Sequence, residues 1–177
     1  MKTKRFIALI CLLLASFAAN VRADNDEVRG VVNQVFNDLK AGNYNELYDV
    51  LPDSARQKIS REKFANSLAR ARDNYELDRM EVGAARVKGD LAVVDTVLYG
   101  RLKKPLQGEG KIVAQQYLVR QNGRWRVATG DTATVSQFLK ANPSFAKQFP
   151  VRQPQIYFKN ERGEWADLRK LMKTRRK

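Results

Sequence analysis

Residues 79–131 read RMEVGAARVKGDLAVVDTVLYGRLKKPLQGEGKIVAQQYLVRQNGRWRVATGD, and the fold turns on how this stretch is parsed. Apolar residues alternate with polar ones along it, and polar turns break the alternation into four segments. Arg79–Val87 predicts a first strand, closed by Lys88-Gly89-Asp90, where Gly89 tolerates a left-handed backbone. Leu91–Lys103 predicts a second strand with Ala92, Val94, Leu98 and Leu102 on one face and Leu91, Val93 and Val97 on the other. Asp95, Tyr99 and Arg101 share that other face and make it the wetter one. Glu109–Gln121 is the third strand. Asn122-Gly123 is a two-residue hairpin signal, and Arg124–Thr129 returns as the fourth. An antiparallel meander with a greasy face needs a cover, which the upstream helices supply.

The chain before the meander is helical in pattern. Val28, Val31, Val32, Val35, Phe36 and Leu39 recur at helical spacing behind Asp24, Asp26 and Glu27, which suit the positive end of a helix dipole. Asp24-Asn25-Asp26 could open a calcium loop, but the required Gly and terminal Glu are out of register, so no metal site is expected. Gly42 ends the helix. Asn43–Leu51 is a short second helix broken by Pro52, and Asp53–Ile59 adds a helical turn. Ser60 caps a longer helix to about Tyr75, with Phe64, Leu68, Ala71 and Tyr75 as its buried stripe. After the meander, Asp131 caps a helix carrying Val135, Phe138 and Leu139, and Phe145–Phe149 forms another turn after Pro143. Pro150 and Pro154 mark a linker, and Gln155–Lys159 with Glu164–Leu168 reads as a small hairpin or a strand leading into a helix.

The first residues set the compartment. Lys2, Lys4 and Arg5 precede the apolar run Phe6–Ala19, and Val21-Arg22-Ala23 offers a cleavage site. The run is too short to span a bilayer comfortably, so residues 1–23 read as a signal peptide and the product as exported, periplasmic or secreted. Cys11, the one cysteine, falls within it, so the mature chain has no disulfide. Four of the 33 Lys and Arg, and none of the 19 Asp and Glu, lie in 1–23; the remaining 29 bases against 19 acids give +10. That charge points to an anionic envelope component or an acidic protein partner, and nucleic acid is not expected outside the cytoplasm.

Chemical motifs are sparse. With no His in the chain, His-dependent acid–base designs are excluded. The candidates for acid–base work are Asp95, Tyr44, Tyr48 and Asp131, with Tyr99 and Tyr117 behind them. Asp95 stands in an otherwise apolar strand, but alternation puts it on the outer face beside Arg101, as in a structural ion pair. Asp131 reads as a helix cap and the tyrosines as amphipathic core residues. Ser60-Arg61-Glu62-Lys63 matches the Ser-x-x-Lys of penicillin-interacting enzymes without its companion motifs, and Gly108-Glu109-Gly110 leads into a strand, unlike a phosphate loop. No catalytic constellation and no cofactor is expected. The basic tail of Arg169, Lys170, Lys173, Arg175, Arg176 and Lys177 suits an anionic surface, including peripheral contact with a membrane.

Taken together, helix, short helix, helix and four-strand meander resemble the nuclear transport factor 2-like superfamily. Ala41-Gly42-Asn43-Tyr44, Gly89-Asp90-Leu91-Ala92-Val93-Val94 and Asn122-Gly123-Arg124-Trp125-Arg126-Val127 carry the likeness, over Asp26–Thr129. The resemblance implies an α+β fold in which a curved antiparallel meander packs on N-terminal helices, a cone-shaped, cystatin-like roll with a pocket at its open end. The domain then occupies 24–131, with 132–177 as a helical and basic C-terminal extension. Enzymes of the superfamily place Asp, His or Tyr in the cone. The functional expectation is an exported, non-catalytic binding or interaction domain that holds a lipid-like or small apolar ligand in its cone or docks on an anionic envelope partner. The alternative is a small pocket enzyme, isomerase or dehydratase in type, using an Asp with Tyr. Exposure of Val93, Val97 and Tyr99 on the outer face would also suit a homodimer.

Overall fold

The structure is a computed structural model and describes residues 24–103, 107–128, 132–160 and 162–168. The chain is α+β, with helices followed by a six-stranded antiparallel sheet that does not close. Helix α1 is described from residue 24 and ends at residue 41. Gly42 ends it in the left-handed region (φ 86°), and its N–H donates to the Asp38 carbonyl at 2.9 Å, as a helix terminus requires. Three further helices follow: α2 (Tyr44–Asp49), α3 (Asp53–Arg56) and α4 (Arg61–Arg72). Ser60 caps α4 through its side chain, which accepts from the Lys63 N–H.

The meander forms as read, with shifted ends. Its strands are β1 (Tyr75–Lys88), β2 (Leu91–Leu102), β3 (Gly108–Gln121) and β4 (Arg124–Val127). The last strand was expected to reach Thr129, which lies outside the described residues. Tyr75, expected on the stripe of α4, instead opens β1 opposite Leu102, because β2 offers pairing along its whole length. Two register shifts, at Leu77/Arg79 and Val82/Ala85, bend β1. Asn122 and Gly123 take φ of 52° and 73°, the left-handed pair that a tight hairpin needs.

The C-terminal segment belongs to the same sheet. Helices α5 (Thr132–Ala141) and α6 (Pro143–Gln148) lead into β5 (Gln155–Lys159) and β6 (Trp165–Asp167). β5 pairs with Gly110–Val113, and β4 pairs with Leu118–Gln121, both on the edge of β3 that β2 leaves free. The hairpin reading of 155–168 therefore holds, and it extends the main sheet.

Each face of the sheet has its own core. On one, Val28 and Val32 of α1 are buried against Ala92, Val94, Leu118, Trp125 and Val127, with Val31 and Val35 alongside. On the other, Val93, Tyr117 and Ala128 are buried under Leu139 and Phe145, flanked by Val135, Phe138 and Phe149. This corrects the expectation of a wet outer face. Val93 is wholly buried beneath α5 and α6, and Tyr99 is half-buried edge-on against Trp165, at 6.2 Å between ring centres. The apolar surface that suggested a homodimer is thus covered largely by the chain itself.

Phe145 is the keystone of that second cover, 1% exposed and edge-on to both Phe138 and Phe149. Phe145→Ala is expected to cost about 3–5 kcal/mol. Urea unfolding should show this as a lower midpoint with an unchanged slope.

Candidate functional site

Helix α1 stops short of the far end of the sheet it covers: its last turn reaches Asp78, whose carbonyl accepts from the Lys40 ammonium, and β1 runs on through Leu77 to Tyr75. At the other end of the described helix Asp24 meets Arg120 (2.5 Å), so the overhang falls beyond Leu39. There the sheet face that packs on α1 remains open as an almost wholly apolar cleft of about 290 Å³.

The walls of the cleft are Leu39 from α1, Leu98 and Leu102 from β2, Ile112 from β3, and Ile156 and Phe158 from β5. Its floor is open because Gly100 and Gly110 face each other across β2 and β3. A Cβ at Gly100 would come within 2.6 Å of the Glu76 carbonyl oxygen, so that glycine serves the close approach of bent β1. A Cβ at Gly110 would meet nothing nearer than the Tyr157 carbonyl oxygen at 3.5 Å. Ile112 and Ile156 are 37% and 38% exposed, unusual for large aliphatic side chains in a sheet with two cores.

A second, polar cleft of about 390 Å³ adjoins the first and shares Leu39, Tyr75, Glu76 and Leu77 with it. Its own residues are Lys40, Arg72 and Lys103. The Lys40 ammonium donates to the Asp78 carbonyl, and Arg72 Nη2 donates to the Lys40 carbonyl at 3.2 Å, in the last turn of α1. Tyr75 stands between the two clefts, and burial, with Tyr44 nearby, pushes its phenol pKa up.

Two of the larger depressions carry less chemistry. One of about 670 Å³ lies around Tyr99 and Trp165 and meets the polar cleft at Lys40, Glu76 and Leu77; several of its charges and rings are already engaged. Arg79 lies 3.7 Å over the Tyr99 ring, Lys111 lies 4.7 Å over Trp165, and Lys159 pairs with Glu109 at 2.8 Å. The other, of about 700 Å³, is the seam between the α3 region and α5, bridged by Lys58 donating to Gln137 at 3.3 Å.

The residues singled out in the sequence are dispersed. Asp95 is on the α5–α6 side of the sheet, away from the apolar cleft. Its partner is not Arg101: Arg86 Nη2 lies 2.9 Å away and Arg152 Nη1 3.9 Å. Beside it, buried Gln115 accepts from the Tyr117 hydroxyl (3.0 Å) and the Arg152 N–H (2.9 Å), which ties the start of the β5 arm to the sheet. Tyr48 packs edge-on against Phe64, with its hydroxyl 3.0 Å from the carbonyls of Arg56 and Ile59. Arg61 lies over the Tyr48 ring and grips Asp49 with both guanidinium nitrogens, which holds that carboxyl below the usual range. Tyr44 begins α2, near Gly42 and Tyr75. Asp131 and the basic residues Arg169, Lys170, Lys173, Arg175, Arg176 and Lys177 lie outside the described residues. Among the described residues no group of three or more acids and cysteines is placed to hold a metal ion.

The apolar cleft was missed in the sequence, although Gly100, Gly108 and Gly110 in otherwise regular strands were a signal for it. Glycines inside strands mark close approach or an open floor. No protein-family model matches the chain and no curated protein does, so the chemistry of the cleft has to be read from its own residues.

Buried Tyr117 has a measurable consequence. Burial, first of all, raises its phenol pKa, so the folded chain keeps a proton that the unfolded chain releases near pH 10. Its contribution is whole below that pH and lost as pH rises through the folded pKa. Tyr117→Phe should cost about 1 kcal/mol at neutral pH through the lost Gln115 bond. It should also flatten the alkaline decline of the urea midpoint, leaving the share that Tyr75 contributes.

Proposed function

We propose that this chain is an exported, non-catalytic binding domain that holds a small apolar or lipid-like ligand in the cleft beyond Leu39. The observation that carries this reading is the apolar overhang itself, where Ile112 and Ile156 remain more than a third exposed over a floor of two glycines. Fully burying an aliphatic side chain of this size is worth about 1.5–3 kcal/mol, so a ligand that covers the third still exposed recovers about 0.5–1 kcal/mol at each. The element order of helices and bent meander supports a cone-shaped, cystatin-like roll of the nuclear transport factor 2-like kind. The net positive charge and the basic residues 169–177 support docking on an anionic envelope partner. Asp95, the carboxylate of the alternative enzyme reading, is paired with Arg86 on the opposite face and takes no part in this cleft.

The neutral fluorophore N-phenyl-1-naphthylamine tests the cleft. The purified protein should enhance its fluorescence, and Gly110→Val should weaken binding about tenfold or more. Gly110 has no positive φ, a Cβ there would make only van der Waals contact with the Tyr157 carbonyl oxygen at 3.5 Å, and valine favours strands, so the melting temperature should hold. Undiminished uptake by a folded Gly110→Val protein would place the probe elsewhere.

Export has its own test. Asp24, the first residue after the expected cleavage point, already pairs with Arg120 of β3. Intact mass of the protein recovered from the cell envelope should correspond to a chain starting at Asp24. A mass that retains residues 1–23 would indicate an uncleaved anchor.

A further inference from the structure

We infer that the ligand is a single-chain amphiphile with an anionic head, its tail in the apolar cleft and its head on Lys40, Arg72 and Lys103. This rests on the reading of the cleft as a ligand site and adds the chemistry of the part outside it. The two clefts are continuous, with Leu39, Tyr75, Glu76 and Leu77 lining both. One end is almost purely apolar and the other carries three cations. A molecule filling both therefore needs a greasy end and a charged one.

Those cations differ from most of their neighbours in what they touch. Around the same end of the sheet, Arg79 pairs with Asp78 and Glu81, and Lys159 pairs with Glu109, whereas Arg101, at the rim of the apolar cleft, is in no ion pair among the described residues and adds to the positive charge. Among the described residues, Lys40, Arg72 and Lys103 have no carboxylate within ion-pair distance, and all three are exposed. Glu76 lies in the cleft with them, and the carbonyl end of α1 adds about half a negative charge. Three positive charges exceed both, so the subsite is net cationic. Each ammonium keeps donors for an anion: Lys40 uses one N–H on the Asp78 carbonyl and has two more.

Size fixes the number of tails. About 290 Å³ lies at the low end of the roughly 300–1,000 Å³ of small-molecule sites, enough for one short chain and too little for the two tails of a phospholipid. A fatty carboxylate and a monoalkyl phosphate share the required chemistry. Tyr75, which lines both clefts, adds a phenol hydroxyl as a neutral donor at their junction.

Competition against bound N-phenyl-1-naphthylamine separates the possibilities, with decanol, decanoate and decyl phosphate as ligands of equal tail. In the wild-type protein at low salt the two anions should displace the probe about tenfold more tightly than decanol. High salt should shrink that advantage. In the double variant Lys40→Gln/Lys103→Gln the advantage should vanish while decanol competes as before. Arg124→Gln/Lys147→Gln, which removes the same charge far from the cleft, should retain it. A preference for decyl phosphate alone supports the inference and narrows the head to phosphate; a preference for decanoate alone narrows it to carboxylate. Decanol competing as well as the anions would overturn the anionic head and leave the apolar cleft standing. An equal loss in the Arg124→Gln/Lys147→Gln control would also overturn it, by tracing the preference to net charge. Failure of all three ligands, with probe uptake indifferent to Gly110→Val, would remove the cleft reading and this inference with it.

Discussion

Strand β2 cannot be left with an open face at its centre, and most of the architecture follows from that constraint. Ala92, Val93 and Val94 are consecutive and all fully buried, so their side chains, which alternate across the sheet, need apolar cover on both sides. Antiparallel sheets commonly leave one face to water. Here α1 takes the even-numbered side, and α5 with α6 takes the odd-numbered side. The two covers come from opposite ends of the chain. The meander is therefore a middle layer, and its stability depends on segments remote from it in sequence.

The same layering explains where the open surface lies. Both covers concentrate on one end of the sheet, near Ala92, Leu118 and Trp125 on one side and Val93 and Tyr117 on the other. The strands run on past both. On one side of the overhang, Tyr99 and Trp165 pack together beneath Arg79 and Lys111, and Lys159 pairs with Glu109, so the depression there is polar and its rings are covered by cations. On the other side glycines stand where side chains would be, and the aliphatic residues around them remain uncovered. Two faces of one overhang thus differ in chemistry, one charged and one apolar.

Much of the fold was legible because it is local. Alternation located β1 to β4, Asn122-Gly123 specified its hairpin, and Gly42 and Ser60 marked helix ends, each through backbone geometry that a few neighbouring residues determine. The cover of the second face was also written in the chain, as two unmatched apolar surfaces. Leu91 and Val93 lacked a partner, and so did Val135, Phe138, Leu139, Phe145 and Phe149. Assigning the first set to water or a second copy overlooked that the two sets could satisfy each other. The cleft was less accessible. Its floor depends on the register that sets Gly100 opposite Gly110, and its wall depends on β5 choosing the free edge of β3 beside β4. Neither follows from a residue's neighbours, since both are long-range pairings. The same holds for Asp95: its strand and face could be read, but Arg86 and Arg152 reach it only through the register of β1 and the path of the chain from α6 to β5.

That path gives the C-terminal segment a double role. Residues 132–168 supply the cover for Val93 and Tyr117 and also the Ile156 and Phe158 wall of the cleft. The two halves of the segment are joined through Arg152, whose N–H is held by Gln115 and whose guanidinium lies near Asp95. A ligand seated against Ile156 and Phe158 touches β5, and β5 is anchored to the sheet beside the network that lies under α6. Anything bound only by the folded cleft stabilises the folded chain by mass action. In this architecture that stabilisation extends to the attachment of the second cover, because no part of the cleft wall on β5 can be in place unless the segment that carries α5 and α6 has also returned to the sheet. Binding and the closure of the second core are thus coupled through a single stretch of backbone.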